Sequence, residues 1–419
     1  MQPYAEMKAA GSHWMGDVPA HWTVSRFRYE AAINGGQVDP REEPWSGMTL
    51  IAPNHLESGT GRIIGVETAE GQGADSGKYL VEAGQIVYSK IRPALNKVAI
   101  AETEALCSAD MYAMSFRDRV HPRFAFYYFL ARPFHTFATV TSMRVKMPKV
   151  NREELAEAPW LVPPLEEQRA IANYLDRETA RIDTLIEEQQ RLIEMLRERR
   201  SAAVRSAIAE AGALGPTDKL GRRTKIGNGS TPRRENAAYW SENGFPWLNS
   251  SVVNRDQVSG ADQFVTSTAL KECHLPIVPP GSVLVGLTGQ GKTRGMATRL
   301  VVEATVNQHV AYVTPEPAFW APEFLMWLLR ASYEQLRMLS DENGSTKGGL
   351  TCADLKAFRV SRPPLDEQRR IAAYLEEQTT KIDQLIVETE RFIELSKERR
   401  AALITAAVTG QIDVRDEVA

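Results

Sequence analysis

The feature of this sequence that most constrains its fold is a segment of 46 residues that occurs twice. Residues 163–208 recur as residues 363–408, shifted by 200 positions without a gap, and 24 of the aligned positions are identical. Each copy is preceded by a region of comparable length, and these two regions barely match each other. This arrangement predicts two different binding domains that are separated by two matching helical segments.

Both copies have the pattern of an amphipathic helix, with apolar side chains three and four positions apart. Each copy opens with two prolines followed by acidic residues, a pattern typical of a helix N-terminus. Two independent helices remain an alternative, but equal lengths and matching apolar stripes favour an antiparallel coiled coil. A minor break is expected near Thr179 and Thr379. The residues predicted to pair the helices are Ile182, Leu185, Ile186, Ile193, Leu196, Ile382, Leu385, Ile386 and Ile393.

The two dissimilar regions are predicted to be α+β domains. Short strands are indicated at 85–91, 113–116, 282–287 and 309–315, and helices are indicated after Pro122 and Pro322. The expected fold is therefore α+β, with two α+β domains, two long helices packed as an antiparallel coiled coil, and an approximate two-fold axis. The predicted segments are a first domain (1–162), a central helical repeat (163–212), a second domain (213–362) and a C-terminal helical repeat (363–419), with 210–219 as a soft linker.

Composition limits the class of protein. No apolar run is long enough to span a bilayer, and no signal peptide is visible, so we expect a soluble, cytoplasmic protein. Three scattered cysteines and seven scattered histidines predict neither a disulfide framework nor a metal site. The net charge is −3, but residues 211–362 carry 17 basic and 13 acidic side chains. Any DNA affinity of the isolated chain should therefore be modest, and a basic partner could share the phosphate contacts.

One motif suggests an enzyme. Gly286, Gly291, Lys292 and Thr293 match the phosphate-binding pattern GxxxxGK[ST]. The motif requires a helix directly afterwards, whereas the sequence that follows is typical of a turn into another strand. A P-loop NTPase is therefore kept only as an alternative. Because no other catalytic motif is present, the chain is predicted to have no catalytic residues.

Basic residues cluster near turns in both dissimilar regions. Arginine and lysine can bind phosphates or guanine edges, while nearby asparagine and glutamine, such as Asn307 and Gln308, can bind adenine. The candidate DNA-binding residues are Lys90, Arg92, Lys97, Arg144, Lys146, Lys149, Arg233, Arg234, Asn249, Lys292, Arg294, Arg299 and Lys347.

The chain resembles the specificity subunits of type I restriction-modification enzymes. The resemblance is carried by the doubled PPLxEQRxIAxYL opening, the following IDxLI, VTGQIDV at 408–414 and the segment 229–251. In that segment the likeness lies in Gly229, Thr231, Pro232 and Trp247. The first domain lacks such a GxTP-type opening.

The resemblance implies a non-catalytic subunit with two target-recognition domains, each of which reads half of a split site in double-stranded DNA. Two methyltransferase subunits would bind it and methylate adenine, and restriction subunits are a further partner that would add cleavage. No cofactor is expected in this chain, because S-adenosylmethionine, ATP and Mg²⁺ would belong to the partners. A purely structural coiled-coil scaffold is the other alternative.

Overall fold

The structure is a computed structural model that describes residues 3–12, 14–143, 148–289, 291–342 and 349–418. The chain divides into two compact units, one formed by residues 1–190 and 390–419 and the other by residues 191–389. Each of two long helices contributes one part to each unit, so the units cut across the four segments predicted from the sequence.

The first unit is built from short strands and helices that precede the first long helix. The strands are β1 (Met7–Ala9), β2 (Asp17–Pro19), β3 (Thr23–Arg26), β4 (Ala31–Ile33), β5 (Gln37–Val38), β6 (Thr49–Ile51), β7 (Glu67–Thr68), β8 (Lys78–Val81), β9 (Ile86–Ser89), β10 (Val98–Ile100), β11 (Ala105–Cys107), β12 (Met111–Phe116) and β13 (Pro159–Val162). The helices are α1 (Phe27–Glu30), α2 (Pro122–Leu130), α3 (Arg132–Thr141) and α4 (Arg152–Ala156). The first long helix is α5 (Leu165–Gly212).

The second unit repeats this plan before the second long helix. Its strands are β14 (Thr217–Lys219), β15 (Thr224–Asn228), β16 (Trp240–Ser241), β17 (Phe245–Leu248), β18 (Gln257–Val258), β19 (Gln263–Val265), β20 (Val283–Gly286), β21 (Ala297–Leu300), β22 (Thr305–Val306), β23 (Val310–Pro315) and β24 (Arg359–Ser361). Its helices are α6 (Ser267–Glu272), α7 (Pro322–Ala331), α8 (Tyr333–Glu342) and α9 (Cys352–Ala357). The second long helix is α10 (Leu365–Val408).

Each unit has its own central sheet, and four strands are arranged in the same way in both sheets. In the first unit the strand order is β10-β9-β12-β4, and in the second it is β21-β20-β23-β15, with β18 added beyond β21. Neighbours within each shared set of four strands are antiparallel. The four strands predicted from the sequence are β9, β12, β20 and β23, so these predictions and the α+β class are confirmed.

The prediction of a break near Thr179 and Thr379 is wrong, because α5 and α10 are continuous. Each threonine hydroxyl donates to the carbonyl four residues earlier, at 2.6 Å for Leu175 and 2.7 Å for Leu375. Such a bond gives a buried threonine hydroxyl a partner without interrupting the helix.

The two long helices pack together and run antiparallel. Asp183 of α5 pairs with Arg400 of α10, and Arg200 of α5 pairs with Asp383 of α10, so that rising numbers on one helix meet falling numbers on the other. Seven of the nine predicted pairing residues are buried; they are Ile182, Ile186, Ile193, Leu196, Ile382, Ile386 and Ile393.

The other two predicted pairing residues are not buried. Leu185 is half-buried and Leu385 is 49% exposed. The prediction that Leu385 lies in the seam, the line of buried contacts between α5 and α10, is therefore wrong. Thr389 and Ser396 are buried instead, because the seam follows positions 382, 386, 389, 393, 396 and 400 at alternating spacings of four and three.

The buried PPLxEQ glutamines attach each long helix to its own unit. Nε2 of Gln168 donates to the carbonyls of Arg119 and Pro163, each at 2.8 Å, and Oε1 accepts from the backbone N–H of His121. Gln368 makes the corresponding three bonds to residues 319, 363 and 321. Each buried amide uses both N–H donors and its carbonyl oxygen. A side chain without these groups would leave the three backbone partners without their hydrogen bonds.

The far end of each long helix also closes a core. Ile404, Ala407 and Val408 of α10 are buried with the aromatic core of the first unit. Val204 and Ile208 of α5 are buried in the core of the second unit. Each core therefore needs the beginning of one long helix and the end of the other.

The predicted soft linker at 210–219 is instead part of the packed structure. Helix α5 continues to Gly212, and β14 pairs with β24. A Cβ atom on Gly215 would lie 2.1 Å from the carbonyl oxygen of Arg362, so only glycine fits there. In the described part of the chain no helix is long and apolar enough to cross a membrane.

Candidate nucleic-acid interface

In the first unit the structure brings together three of the predicted basic residues where strands of the central sheet end. This row of strand ends is called the sheet edge below. Lys90 and Arg92 follow β9, and an isolated bridge pairs Ile91 with Lys149. The backbone N–H of Arg92 donates to the carbonyl of Pro148, and that of Val150 donates to the carbonyl of Lys90, each at 2.9 Å. Lys90, Arg92 and Lys149 form no ion pair with any described residue, so they can accept an external anion.

Tyr112, at the start of β12, orders this edge. Lys90 Nζ and the Arg152 guanidinium lie 5.7 Å and 5.8 Å from its ring centroid. Burial raises the pKa of Tyr112 to about 12, so the phenol stays protonated and donates to the Val150 carbonyl at 3.2 Å. Arg152 also donates to the backbone carbonyl of Asn34, which follows β4. The edge therefore combines cationic side chains with an aromatic support.

The remaining predicted residues of the first unit are placed differently. Lys97 is half-buried and its Nζ donates to the carbonyl of Pro53 at 2.6 Å. Arg144 and Lys146 lie outside the described residues. They therefore stay predictions.

The second unit has a polar network at the corresponding sheet edge. Oγ1 of Thr231 donates to Oε1 of Gln308 at 2.7 Å, and Nε2 of Gln308 lies 3.2 Å from Nε2 of His309. Nδ1 of His309 lies 2.9 Å from Oγ1 of Thr288. Asn228, the last residue of β15, donates to the backbone carbonyl of Gln308 at 3.2 Å. These hydrogen bonds thus connect three chain segments: the one after β15, the one before β23 and the one after β20.

Close packing explains why the segment 229–251 has glycine at position 229 and tryptophan at position 247. A Cβ atom on Gly229 would lie 1.8 Å from the Val306 carbonyl oxygen, so glycine alone allows this approach. Indole Nε1 of Trp247 donates to the Ser230 carbonyl at 3.1 Å. These contacts fix the loop that carries Thr231 and Arg233. Arg233 is exposed and forms no ion pair with the described residues.

Arg234 is held by aromatic rings. Its guanidinium carbon lies 4.2 Å from the ring centroid of Trp240 and 5.1 Å from that of Trp247, and Nη2 donates to Oε1 of Gln263 at 3.0 Å. Trp240 in turn donates to the Arg233 carbonyl. Arg234 therefore braces the loop that carries Thr231 and Arg233, and it also adds positive charge there.

The GxxxxGKT segment does not form a P-loop. Gly286 ends β20, and β21 begins at Ala297 and runs antiparallel to β20, so a strand follows where phosphate binding requires a helix. The backbone N–H of Gly295 donates to the Gly286 carbonyl at 2.8 Å, which closes the connection. Lys292 is exposed on this turn; its carbonyl accepts from the Tyr333 hydroxyl at 3.3 Å, and its side chain forms no ion pair with a described residue.

The other basic residues predicted near Lys292 are already engaged. Arg294 is buried and its Nη2 lies 2.8 Å from Oδ1 of Asp341. Arg299 lies in β21, where it forms an ion pair with Glu323. Of these three cations, Lys292 is best placed to contact a phosphate.

Two predicted residues of the second unit remain. Asn249 caps a turn, because its Oδ1 accepts from the backbone N–H and the hydroxyl of Ser251 at 2.9 and 2.7 Å. Lys347 lies outside the described residues. Sequence reasoning missed Tyr112, Arg152, Thr288 and His309. For Tyr112 and Thr288, the position directly before or after a predicted strand was a usable signal.

Within the described ranges, no group of three or more His, Cys, Asp or Glu side chains could hold a metal ion.

Comparisons with known proteins identify the family. The model of the type I restriction modification DNA specificity domain matches residues 33–195 and 220–391. The Escherichia coli EcoDI specificity subunit of a type I restriction enzyme is 38% identical over 168 residues, which cover 40% of this chain and 37% of the relative. The Escherichia coli EcoR124I/EcoR124II specificity subunit is 20% identical over 43% of this chain and 45% of the relative. The chain thus spans less than half the length of these curated relatives.

Solved structures support the same fold. A chain from a structure on complex assembly and conformational transition of the type I R-M system has a TM-score of 0.72, with 19% identity over 94% of this chain and 99% of that chain. The HsdS subunit from Thermoanaerobacter tengcongensis has a TM-score of 0.55, with 20% identity over 94% and 98%. Because the family model matches well over half of its residues, this chain belongs to the family of type I restriction modification DNA specificity domains.

Proposed function

We propose that this chain is the non-catalytic specificity subunit of a type I restriction-modification complex and that each unit reads one half of a bipartite DNA site. The observation that carries the proposal is the duplicated sheet edge. Lys90 and Arg92 follow β9, and Lys292 follows β20, which holds the same place in the sheet of the second unit. These three cations, like Lys149 and Arg233, form no ion pair with a described residue. Cations at such loops suit phosphate binding, and the neighbouring polar side chains suit base recognition.

In this proposal the chemistry belongs to partner subunits. Two methyltransferase subunits would bind S-adenosylmethionine and methylate adenine, and restriction subunits would supply cleavage with ATP and Mg²⁺. The cytoplasm, where bacterial DNA is accessible, is the corresponding site of action. The hairpin of β20 and β21 supports this division, because it offers no helix N-terminus to a nucleotide.

A second apolar stripe on the long helices offers a surface for the methyltransferase subunits. In the first unit it comprises Phe392 and Leu395, which are 43% and 53% exposed, together with Leu185, which is half-buried. In the second unit it comprises Leu192, Met195 and Leu385, which are 36%, 58% and 49% exposed. Since these side chains lie outside the seam and repeat in both units, we propose one methyltransferase subunit for each unit.

Methylation mapping tests the function. Host DNA should contain methylated adenines in a split motif when this gene and its methyltransferase gene are both present, and deletion of this gene alone should remove the methylation. Methylation that persists without this chain would contradict the proposal, and so would sequence-independent methylation with it.

Partner binding is tested with two glutamate variants and a matched control. Leu395→Glu and Met195→Glu each place a charge in one patch and should each reduce the number of bound methyltransferase subunits from two to one. Ile277→Glu changes an equally exposed apolar residue, 56% exposed, outside the long helices and should have no effect. Mass measurement of the purified complexes distinguishes these outcomes, and full binding by both helix variants would refute the assignment of the patches.

A further inference from the structure

Gln308 is an exposed side chain whose amide is nevertheless held at both ends. Thr231 donates to its Oε1 at 2.7 Å, and its Nε2 faces Nε2 of His309 at 3.2 Å. An exposed glutamine ordinarily samples many rotamers and loses that freedom when it binds. Two partners on different segments therefore fix the plane of this amide before any ligand arrives.

His309 is itself held from several directions. Its Nδ1 lies 2.9 Å from Oγ1 of Thr288, and its backbone N–H donates to Oδ1 of Asn307 at 3.0 Å. The backbone N–H of Leu287 donates to its carbonyl at 2.9 Å. The support for Gln308 is therefore part of the sheet edge rather than a mobile neighbour.

The network leaves half of the amide's hydrogen-bonding capacity unused. A carboxamide oxygen accepts two hydrogen bonds and its nitrogen donates two. Thr231 occupies one lone pair of Oε1 and His309 takes one N–H of Gln308. One acceptor site and one donor of the amide remain, and these are the groups that a bidentate contact with the N6–H₂ donor and N7 acceptor of adenine requires in the major groove.

The two loops that the network joins also carry exposed cations. Arg233 lies two residues after Thr231, and Lys292 lies four residues after Thr288. Phosphate contacts position a protein on DNA, whereas contacts to base edges provide sequence information. The loops that hold Gln308 thus also carry groups that can bind the DNA backbone.

We propose that Gln308 is the residue through which the second unit recognises an A·T pair by bidentate hydrogen bonding to adenine, with Thr231 and His309 as positioning residues. This inference rests on the proposed function, because it assumes that the sheet edge contacts DNA. It assigns the specificity at one base pair of one half-site to a named side chain.

The test uses the complex of this chain with its methyltransferase subunits and maps methylated adenines in host DNA. Gln308→Ala should relax one position of one half-site, with about a 5- to 150-fold loss of preference for A·T at that position. Gln308→Glu removes the donor to N7 and should disfavour adenine there more strongly. Thr231→Val should relax the same position more weakly, because it releases the amide without removing it. The other half-site should not change.

Gln335→Glu is the matched control, because Gln335 is an exposed glutamine of the same unit on α8. It should leave the motif and the methylation rate unchanged. A thermal melt of each complex shows whether a variant has lost stability instead of specificity. If Gln308→Glu and Thr231→Val leave the motif unchanged, or lower methylation uniformly at all sites, Gln308 does not read a base and the inference is wrong.

Failure of the proposed function would look different. In that case the unmodified complex would show no methylation motif that depends on this chain. An intact motif in the unmodified complex, together with an unaltered motif in the Gln308 variants, overturns only the assignment of Gln308.

Discussion

Arg400 of α10 forms an ion pair with Asp183 of α5, with Nε and Oδ1 2.9 Å apart. The residues 200 positions away, Arg200 and Asp383, form the same pair at the same distance in the other unit. Their burial differs, because the side chains of Arg400 and Asp183 are 9% and 22% exposed, whereas those of Arg200 and Asp383 are 25% and 44% exposed. The two equivalent ion pairs thus differ in burial, and they should differ in how much each contributes to the free energy of unfolding.

Arg400→Met should therefore destabilise the protein more than Arg200→Met. Removing one partner of a largely buried pair leaves the other charge uncompensated and costs about 3 kcal/mol, while a more exposed pair contributes about 1 kcal/mol or less. Arg400 also donates to the Thr60 carbonyl at 3.0 Å. A methionine cannot replace this donor, so the substitution removes that hydrogen bond as well. Thermal melts of the full chain check the order, with exposed Arg399→Met as the control. Equal losses at both sites would contradict this account.

The buried glutamines should protect one backbone amide each. Gln168→Ala removes the acceptor of the His121 N–H, and Gln368→Ala removes the acceptor of the Ala321 N–H. We expect hydrogen exchange to accelerate at residue 121 in the first variant and at residue 321 in the second, each without a matching change at the other site. Loss of protection at both sites in either variant would show that the units do not open separately.

Lys292 and Arg294 should respond differently to alanine substitution in a DNA-binding assay with the assembled complex. Lys292→Ala should weaken binding by an amount that shrinks as salt rises and reduce the slope of log Kobs against log salt by about 0.9, as expected for one lost phosphate contact. Arg294→Ala should lower stability by about 1 kcal/mol or less, because Asp341 is 62% exposed and water solvates it when its partner is lost, and it should leave the slope unchanged. Loss of ATP binding by the isolated Lys292→Ala chain would instead favour an NTPase.

A helical insertion tests whether the long helices set the spacing between half-sites. Four added residues between Arg191 and Arg200 extend α5 by about 6 Å. We expect the nonspecific spacer to lengthen by about one or two base pairs, and both half-sites to stay as they were. A changed half-site with an unchanged spacer would be incompatible with that role.

A fragment of residues 1–212 should dimerise. It lacks Ile404 and Val408, which close the core of the first unit, but its own helix carries Val204 and Ile208, which perform that task in the second unit. A second copy can therefore supply an equivalent helix end and, with methyltransferase partners, a symmetric split site should be modified. Light scattering gives the mass, and a stable soluble monomer would refute the prediction.

The sequence alone determined the duplicated plan of this protein. A repeat at a fixed shift, an apolar stripe with helical spacing and proline-acid helix starts define long helices whatever surrounds them, because these signals are local. The strands at β9, β12, β20 and β23 were predictable for the same reason. The resemblance to type I specificity subunits also depended on contiguous motifs such as PPLxEQ.

Tertiary structure decided which residues of those patterns act together. Leu385 matches the helical stripe and is exposed, whereas polar Thr389 and Ser396 are buried, because the partner helix selects the buried face. Likewise Arg294 and Lys292 look alike in sequence, yet only the fold places Asp341 beside Arg294.

The candidate site shows the same division. Lys90, Arg92 and Lys149 could be proposed individually, but their meeting depends on a bridge between segments about 60 residues apart. Thr231, Thr288 and Gln308 meet because three strand ends reach one edge of a sheet. Pairing between distant strands sets these neighbours, and no local sequence pattern records it. The sequence therefore determined the repeated elements, and the folded sheets determined the composition of the site.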